Sequence, residues 1–99
     1  MLFQLSFSEE ASKQYQDLQK AKNLMAQLKA VTKALKLLST DPRHPGLQTH
    51  AYSSIPGPEG AKVFEAYTQQ NTPGAYRIFL CYHPPKTNSI MIIAITPHP

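Results

Sequence analysis

The sequence predicts an α+β fold, with two N-terminal helices packed on one face of a small antiparallel β-sheet. Three observations carry that expectation. An apolar stripe at three- and four-residue spacing runs through residues 21–38. From residue 47 onward, short β-branched and aromatic runs alternate with turns rich in Pro and Gly. The last two of these runs, 75–82 and 90–96, flank a polar connection and read as a β-hairpin. The expected order is strand, helix, helix and then four strands.

The first element is a strand over residues 2–7, where Phe3, Leu5 and Phe7 alternate with Leu2, Gln4 and Ser6. Its Phe/Leu face should point inward. Ser8 reads as a helix N-cap, followed by Glu9 and Glu10 in a first turn where the helix dipole favours acids. The helix should run to about residue 19, with Ala11, Tyr15 and Leu18 on one face. From Ala21, the positions Leu24, Leu28, Val31, Leu35 and Leu38 form the stripe of a second helix. Lys22, Lys29, Lys33 and Lys36 fall mostly off it and read as a solvated face, with steering of a polyanion as the functional alternative. Ser39-Thr40-Asp41-Pro42 ends this helix, because proline cannot continue it. The two helices should form an antiparallel pair.

Residues 42–46 are a turn-rich linker, and 47–55 form a weakly marked strand. Pro56-Gly57-Pro58-Glu59-Gly60 is a turn. Residues 62–68 return as a strand with Val63, Glu65 and Tyr67 on one face and Phe64 and Ala66 on the other. Another turn over 69–74 leads into the hairpin. Residues 90–95 carry no polar side chain and read as a strand covered on both faces. With the helices on one side of the sheet, the other side is left for function.

Composition narrows the field. Ninety-nine residues make one domain, 1–99, and 41% apolar content fits a folded chain. Ten basic and six acidic residues give a net charge of +4. A pI near 9.3 admits nucleic acid or an acidic protein as partner. The lone Cys81 has no second cysteine to pair with and reads as a small buried apolar residue, consistent with a reducing cytoplasm. Met1-Leu2-Phe3 lacks the basic start of a secretion leader, and no apolar run approaches membrane-spanning length, so a cytoplasmic protein without membrane contact is expected. Glycine-rich phosphate loops, CxxC, HExxH and GxSxG are absent. His44, His50, His83 and His98 lack metal-ligand spacing, so neither a metal nor another cofactor is expected.

The second half of the chain concentrates the groups suited to acid–base and anion chemistry. Up to Asp41 there are six lysines and four acids. Beyond it stand Arg43, Lys62, Arg77 and Lys86, two glutamates and all four histidines. Arg77 interrupts an apolar strand, and a buried unpaired cation is costly, so it must face solvent, a carboxylate or an anion. A hairpin sets the start of its first strand beside the end of its second, which brings Arg77 towards His98. Glu65, Tyr67, Lys62, His50 and Arg43 are candidate neighbours. The plain structural alternatives are a cross-strand salt bridge from Arg77 to Glu65 and a solvated tail for His98.

At these residues the chain resembles the RelE/ParE superfamily of type II toxins from bacterial toxin–antitoxin systems. The resemblance spans the chain: an N-terminal strand ending in Phe-Ser, two helices, a proline-rich break, a Tyr76-Arg77-Ile78-Phe79 strand and an all-apolar last strand. Tyr76-Arg77 stands where mRNA-cleaving members carry a catalytic arginine. Ala94-Ile95-Thr96-Pro97-His98 is similar to the ends of YoeB-like toxins, in which a terminal histidine is a general acid. The resemblance implies a ribosome-dependent mRNA endoribonuclease working without metal, with a cognate antitoxin, the ribosome and mRNA as partners. In it Arg77 would stabilise the charged phosphate, His98 would be the acid, and Glu65 or His50 the base. Lys62, Tyr67, His50 and Arg43 would contact RNA. The chain departs from the family in two places: residues 43–50 lack the YoeB-like glutamate base, and Pro99, not tyrosine, stands beside His98. A non-catalytic alternative is therefore kept, either a ParE-like gyrase inhibitor or a degenerate toxin that only binds its antitoxin.

Overall fold

The computed structural model describes residues 2–70, 72–84 and 87–97. The chain forms β1 (Gln4–Phe7), α1 (Glu9–Lys20), α2 (Met25–Thr40), β2 (His50–Ala51), β3 (Phe64–Tyr67), β4 (Tyr76–Tyr82) and β5 (Ser89–Pro97). Short 3-10 turns at Pro45–Leu47 and Pro58–Gly60 flank β2. The strands make one sheet in the order β1-β5-β4-β3-β2. Both helices contribute to a core against one of its faces: Ala11, Leu18, Val31, Leu35 and Leu38 pack with Ala66, Ile78, Leu80, Ile90, Ile92 and Ile95. The helical stripes read from the sequence are thus the faces that are buried, and Lys29, Lys33 and Lys36 lie exposed on the outside.

The sheet departs from the expected antiparallel arrangement at one edge. β2 through β5 are antiparallel, but β1 joins β5 in parallel, with Gln4 opposite Ser89 and Phe7 opposite Ile92. Tight turns force consecutive strands to run antiparallel, whereas β1 and β5 are joined through everything between them, so no turn sets their direction. The expected strand over 47–55 shrinks to two residues. Pro45 and Gly46 open a 3-10 turn, and Gln48 takes a left-handed conformation (φ 46°) that breaks extension. α2 starts at Met25, since α1 ends at Lys20 and residues 21–24 form the turn between them. Phe7, expected inward, is 39% exposed and stacks on Tyr15 at 6.4 Å.

β5 holds the two layers together. Beyond β1 its edge is taken over by the start of α1. Ser8 donates its backbone N–H to Ile92 O (2.9 Å) and its hydroxyl to Ile93 O (2.8 Å), while its Oγ accepts from Ala11 N–H at 3.0 Å. One turn further along α1, Gln14 Oε1 accepts from Ile95 N–H at 2.7 Å. A β-bulge lies at this point: Phe79 faces Ala94 but Leu80 faces Ile92, leaving Ile93 as the extra residue. The helix start therefore satisfies a backbone that has no neighbouring strand.

The opposite face carries a smaller apolar cluster of Val63, Phe79 and Ala94, edged by Tyr52, Ile55 and Ile93. Cys81 is fully buried, and that burial pushes its thiol pKa up. No helix among the described residues is long and apolar enough to cross a membrane.

Two outcomes follow from this packing. Ser8→Ala removes the cap and the bond to the bulge, and should lower unfolding stability by about 1–2 kcal/mol in urea titrations, with Ser8→Thr recovering most of it. Cys81, held as a protonated and inaccessible thiol, should resist a disulfide reagent near neutral pH until the protein unfolds, so labelling and loss of circular dichroism should share one midpoint.

Candidate functional site

The site is built from three adjacent strands on the face away from the helices. β3 and β4 pair with Tyr67 directly opposite Arg77 and Glu65 opposite Phe79, so Arg77 reaches Glu65 diagonally across the pair. β2, on the far side of β3, sets His50 opposite Glu65.

Glu65 is the centre. Its side chain is 4% exposed, and both of its oxygens are engaged. Oε2 accepts from Arg77 Nη1 at 2.6 Å, and Oε1 lies 2.8 Å from His50 Nε2. The cross-strand salt bridge foreseen as the plain reading of Arg77 is therefore present. Burial would strongly disfavour an isolated carboxylate, and the two partners offset that cost. His50 Nδ1 lies 2.8 Å from Gln48 O. A carbonyl and a carboxylate both accept, so a ring nitrogen that carries a proton donates to the one it faces. Tyr67 completes the arrangement. The Arg77 guanidinium lies 4.5 Å from its ring centroid, within cation–π range, and the His50 ring meets it edge-on at 5.5 Å.

Arg77 and Tyr67 open onto a cleft of about 640 Å³. Gln48, Gln69, Gln70 and Thr72 line its polar side, and Gly74 and Ala75 part of its floor. Gln69 Oε1 is buried with no hydrogen-bond partner among the described residues. The cleft thus combines a fixed cation, an aromatic ring and amide groups able to donate and accept. That chemistry suits a phosphate with its attached base.

The structure brings together four of the residues named from the sequence: Arg77, Glu65, His50 and Tyr67. The other two described ones stand apart from this cluster. Lys62 lies over the Phe64 ring at 5.7 Å, and Arg43 lines a neighbouring cleft that shares Gln48 with the first. His98 lies outside the described residues, although β5 sets Thr96 opposite Arg77. The glutamines went unnoticed in the sequence because amides in turns carry no pattern. The one available hint was their clustering at residues 69–70, just ahead of the Arg77 strand.

No protein-family model matches the chain, and no curated protein matches it. Two solved structures share its fold. One is the YoeB dimer from Staphylococcus aureus, with 15% identity, a TM-score of 0.63 and full coverage of both chains. The other is the conserved hypothetical protein HP0894 from Helicobacter pylori, with 17% identity and a TM-score of 0.56, covering 99% of this chain and 96% of that one. These likenesses bear out the α+β, RelE-like architecture.

The coupling around Glu65 can be measured directly. Arg77→Ala leaves a buried carboxylate with one partner and should cost about 1–3 kcal/mol. Glu65→Leu in the Arg77→Ala background should recover much of that loss. A double-mutant cycle in urea that shows additive effects would mean that the ion pair carries no coupling.

Proposed function

We propose that this protein is the toxin of a type II toxin–antitoxin system and acts as a ribosome-dependent mRNA endoribonuclease. The observation that carries the reading is Arg77, fixed by Glu65 and Tyr67 at the mouth of a polar cleft, on a fold shared with YoeB. The resemblance of the Tyr76-Arg77 strand and of the Thr96-Pro97-His98 tail to mRNA-cleaving toxins supports it.

In this reading a ribose 2′-OH loses its proton to the site and attacks the adjacent phosphorus. The bond to the 5′-oxygen breaks, leaving a cyclic phosphate and a 5′-hydroxyl. Arg77 balances the charge that grows on the phosphoryl oxygens. Its guanidinium is already oriented, so little reorganisation is needed when substrate arrives. His98 protonates the leaving oxygen. The base comes from the His50–Glu65 pair. Glu65 is enclosed and doubly engaged, so it serves to orient Arg77 and the ring, while His50, 44% exposed, is the more accessible of the two and takes the proton in its neutral form, on a ring nitrogen released from Gln48 O or Glu65. Tyr67, Lys62 and Arg43 contact the RNA, and a cognate antitoxin covers the toxin until it is released. The protein acts in the cytoplasm.

One observation favours a second reading. Glu65 already accounts for Arg77 as half of a structural ion pair. A non-catalytic protein, either a ParE-like gyrase inhibitor or a toxin reduced to antitoxin binding, would need no more than that.

An in vitro translation reaction with primer extension on the message separates the two. Wild type should give codon-phased cuts on ribosomes, and Arg77→Ala and His98→Ala should each reduce them by about 10²-fold or more, with folding checked by circular dichroism. Intact message with folded wild-type protein would sink the nuclease reading, and inhibition of DNA supercoiling would then establish the second.

A further inference from the structure

A second concavity of about 390 Å³ adjoins the Arg77 cleft, with Gln48 lining both. Its walls include Arg43, His44, Phe64 and Tyr82, and no carboxylate among the described residues lines it. The rings form a continuous row. Tyr82 meets Phe64 edge-on at 5.7 Å and Phe3 at 6.3 Å. Phe64 and Tyr82 are half-buried, and both also line a further cleft on their other side, where Glu59 and Lys62 sit. The pair packs against the helix-side core and forms a ridge at its edge, lining a cleft on either flank.

The polar groups around the ridge are unspent. The Tyr82 hydroxyl has no hydrogen-bond partner among the described residues. Arg43 is exposed and its guanidinium makes no ion pair there; the nearby Asp41 carboxylate accepts from the Arg43 backbone N–H at 3.2 Å. His44 Nδ1 accepts from Gly46 N–H at 3.0 Å, so the neutral ring carries its proton on Nε2, which is left as a donor. Burial raises the Tyr82 pKa while the charge of Arg43 pulls it down, which sets that cation within electrostatic reach of the ring.

We propose that this cleft binds one nucleotide of single-stranded RNA, its base stacked on the Phe64–Tyr82 ridge and its phosphate held by Arg43 and His44. Stacking on aromatic rings is sequence-tolerant, because every base offers a π-face, and a cation beside the ring fixes the backbone. Gln48 is common to the linings of this cleft and of the one at Arg77. The inference concerns binding alone and stands on this geometry, whether or not the Arg77 site cleaves.

Fluorescence anisotropy tests it on the full chain, with a labelled hexaadenylate and an abasic oligomer of the same length and charge. The hexaadenylate should bind about tenfold tighter. Tyr82→Leu should abolish that difference. Arg43→Ala should weaken both oligomers alike and flatten the salt dependence by about one unit of slope. Arg77→Ala should preserve the preference for bases, so loss of cleavage and loss of base binding are distinguishable. Because Tyr82→Leu could unfold the chain, wild-type protein is also photocrosslinked to a 4-thiouridine oligomer, with adducts expected on the peptide holding Tyr82. Equal affinity for the two oligomers, or adducts confined to other peptides, would overturn the proposal. Displacement by polyglutamate as effective as by hexaadenylate would assign the patch to acidic peptides and overturn it too.

Discussion

A carboxylate removed from water is the constraint around which the open face of this protein is arranged. Glu65 is almost completely enclosed, and a lone buried anion there would be severely destabilising. It is tolerable because β4 supplies a guanidinium to one oxygen and β2 an imidazole to the other. The pairing also fixes geometry. It ties the two-residue β2 to the sheet by a side-chain contact as well as by its few backbone bonds, and it holds Arg77 over Tyr67. A site that needs a rigid cation gains one from a demand that is first of all about solvation.

The two faces of the sheet divide the labour by chemistry. One face buries Ile, Leu and Ala beneath the helices and supplies most of the cohesion. The other keeps a smaller apolar cluster around Phe79 at its centre and sets its charged and aromatic groups around it. The Glu65 ion pairs share that face with the apolar cluster, which limits water at the contacts and strengthens them. Arg77, only partly exposed, is accordingly less free to wander than a surface arginine.

Much of the fold could be read from the sequence because its signals are local. The Leu24–Leu38 stripe, the Ser8 cap and the two hairpin strands each declare themselves within a few residues, and all are present. The Glu65–Arg77 pair was also legible, since both residues lie in strands joined by one short turn, and cross-strand pairs follow from such a hairpin. What was hidden depends on long separations. The parallel direction of β1 is settled by residues more than eighty positions away. The partnership of His50 with Glu65 depends on where a two-residue strand stops, and that is decided by the left-handed turn at Gln48. The Phe64–Tyr82 ridge escaped notice for a different reason: alternation says which residues share a face, but not where the helices cease to cover it.

The bulge in β5 has a consequence for the end of the chain. Side chains along a strand alternate strictly, so a regular β5 would send positions 90, 92, 94 and 96 all to the helical side. The extra residue at Ile93 reverses parity midway. Ile90 and Ile92 belong to the core before it, and Ile95 after it, while Ala94 joins Phe79 on the other face. Thr96 is thereby phased with Arg77, its cross-strand partner. One strand thus speaks two frames, the first addressed to the hydrophobic interior and the second to the open surface. Deleting Ile93 would leave a regular ladder with Ala94 still opposite Phe79 and Thr96 still opposite Arg77, whereas straightening the strand with Ile93 kept would turn its terminal segment inside out.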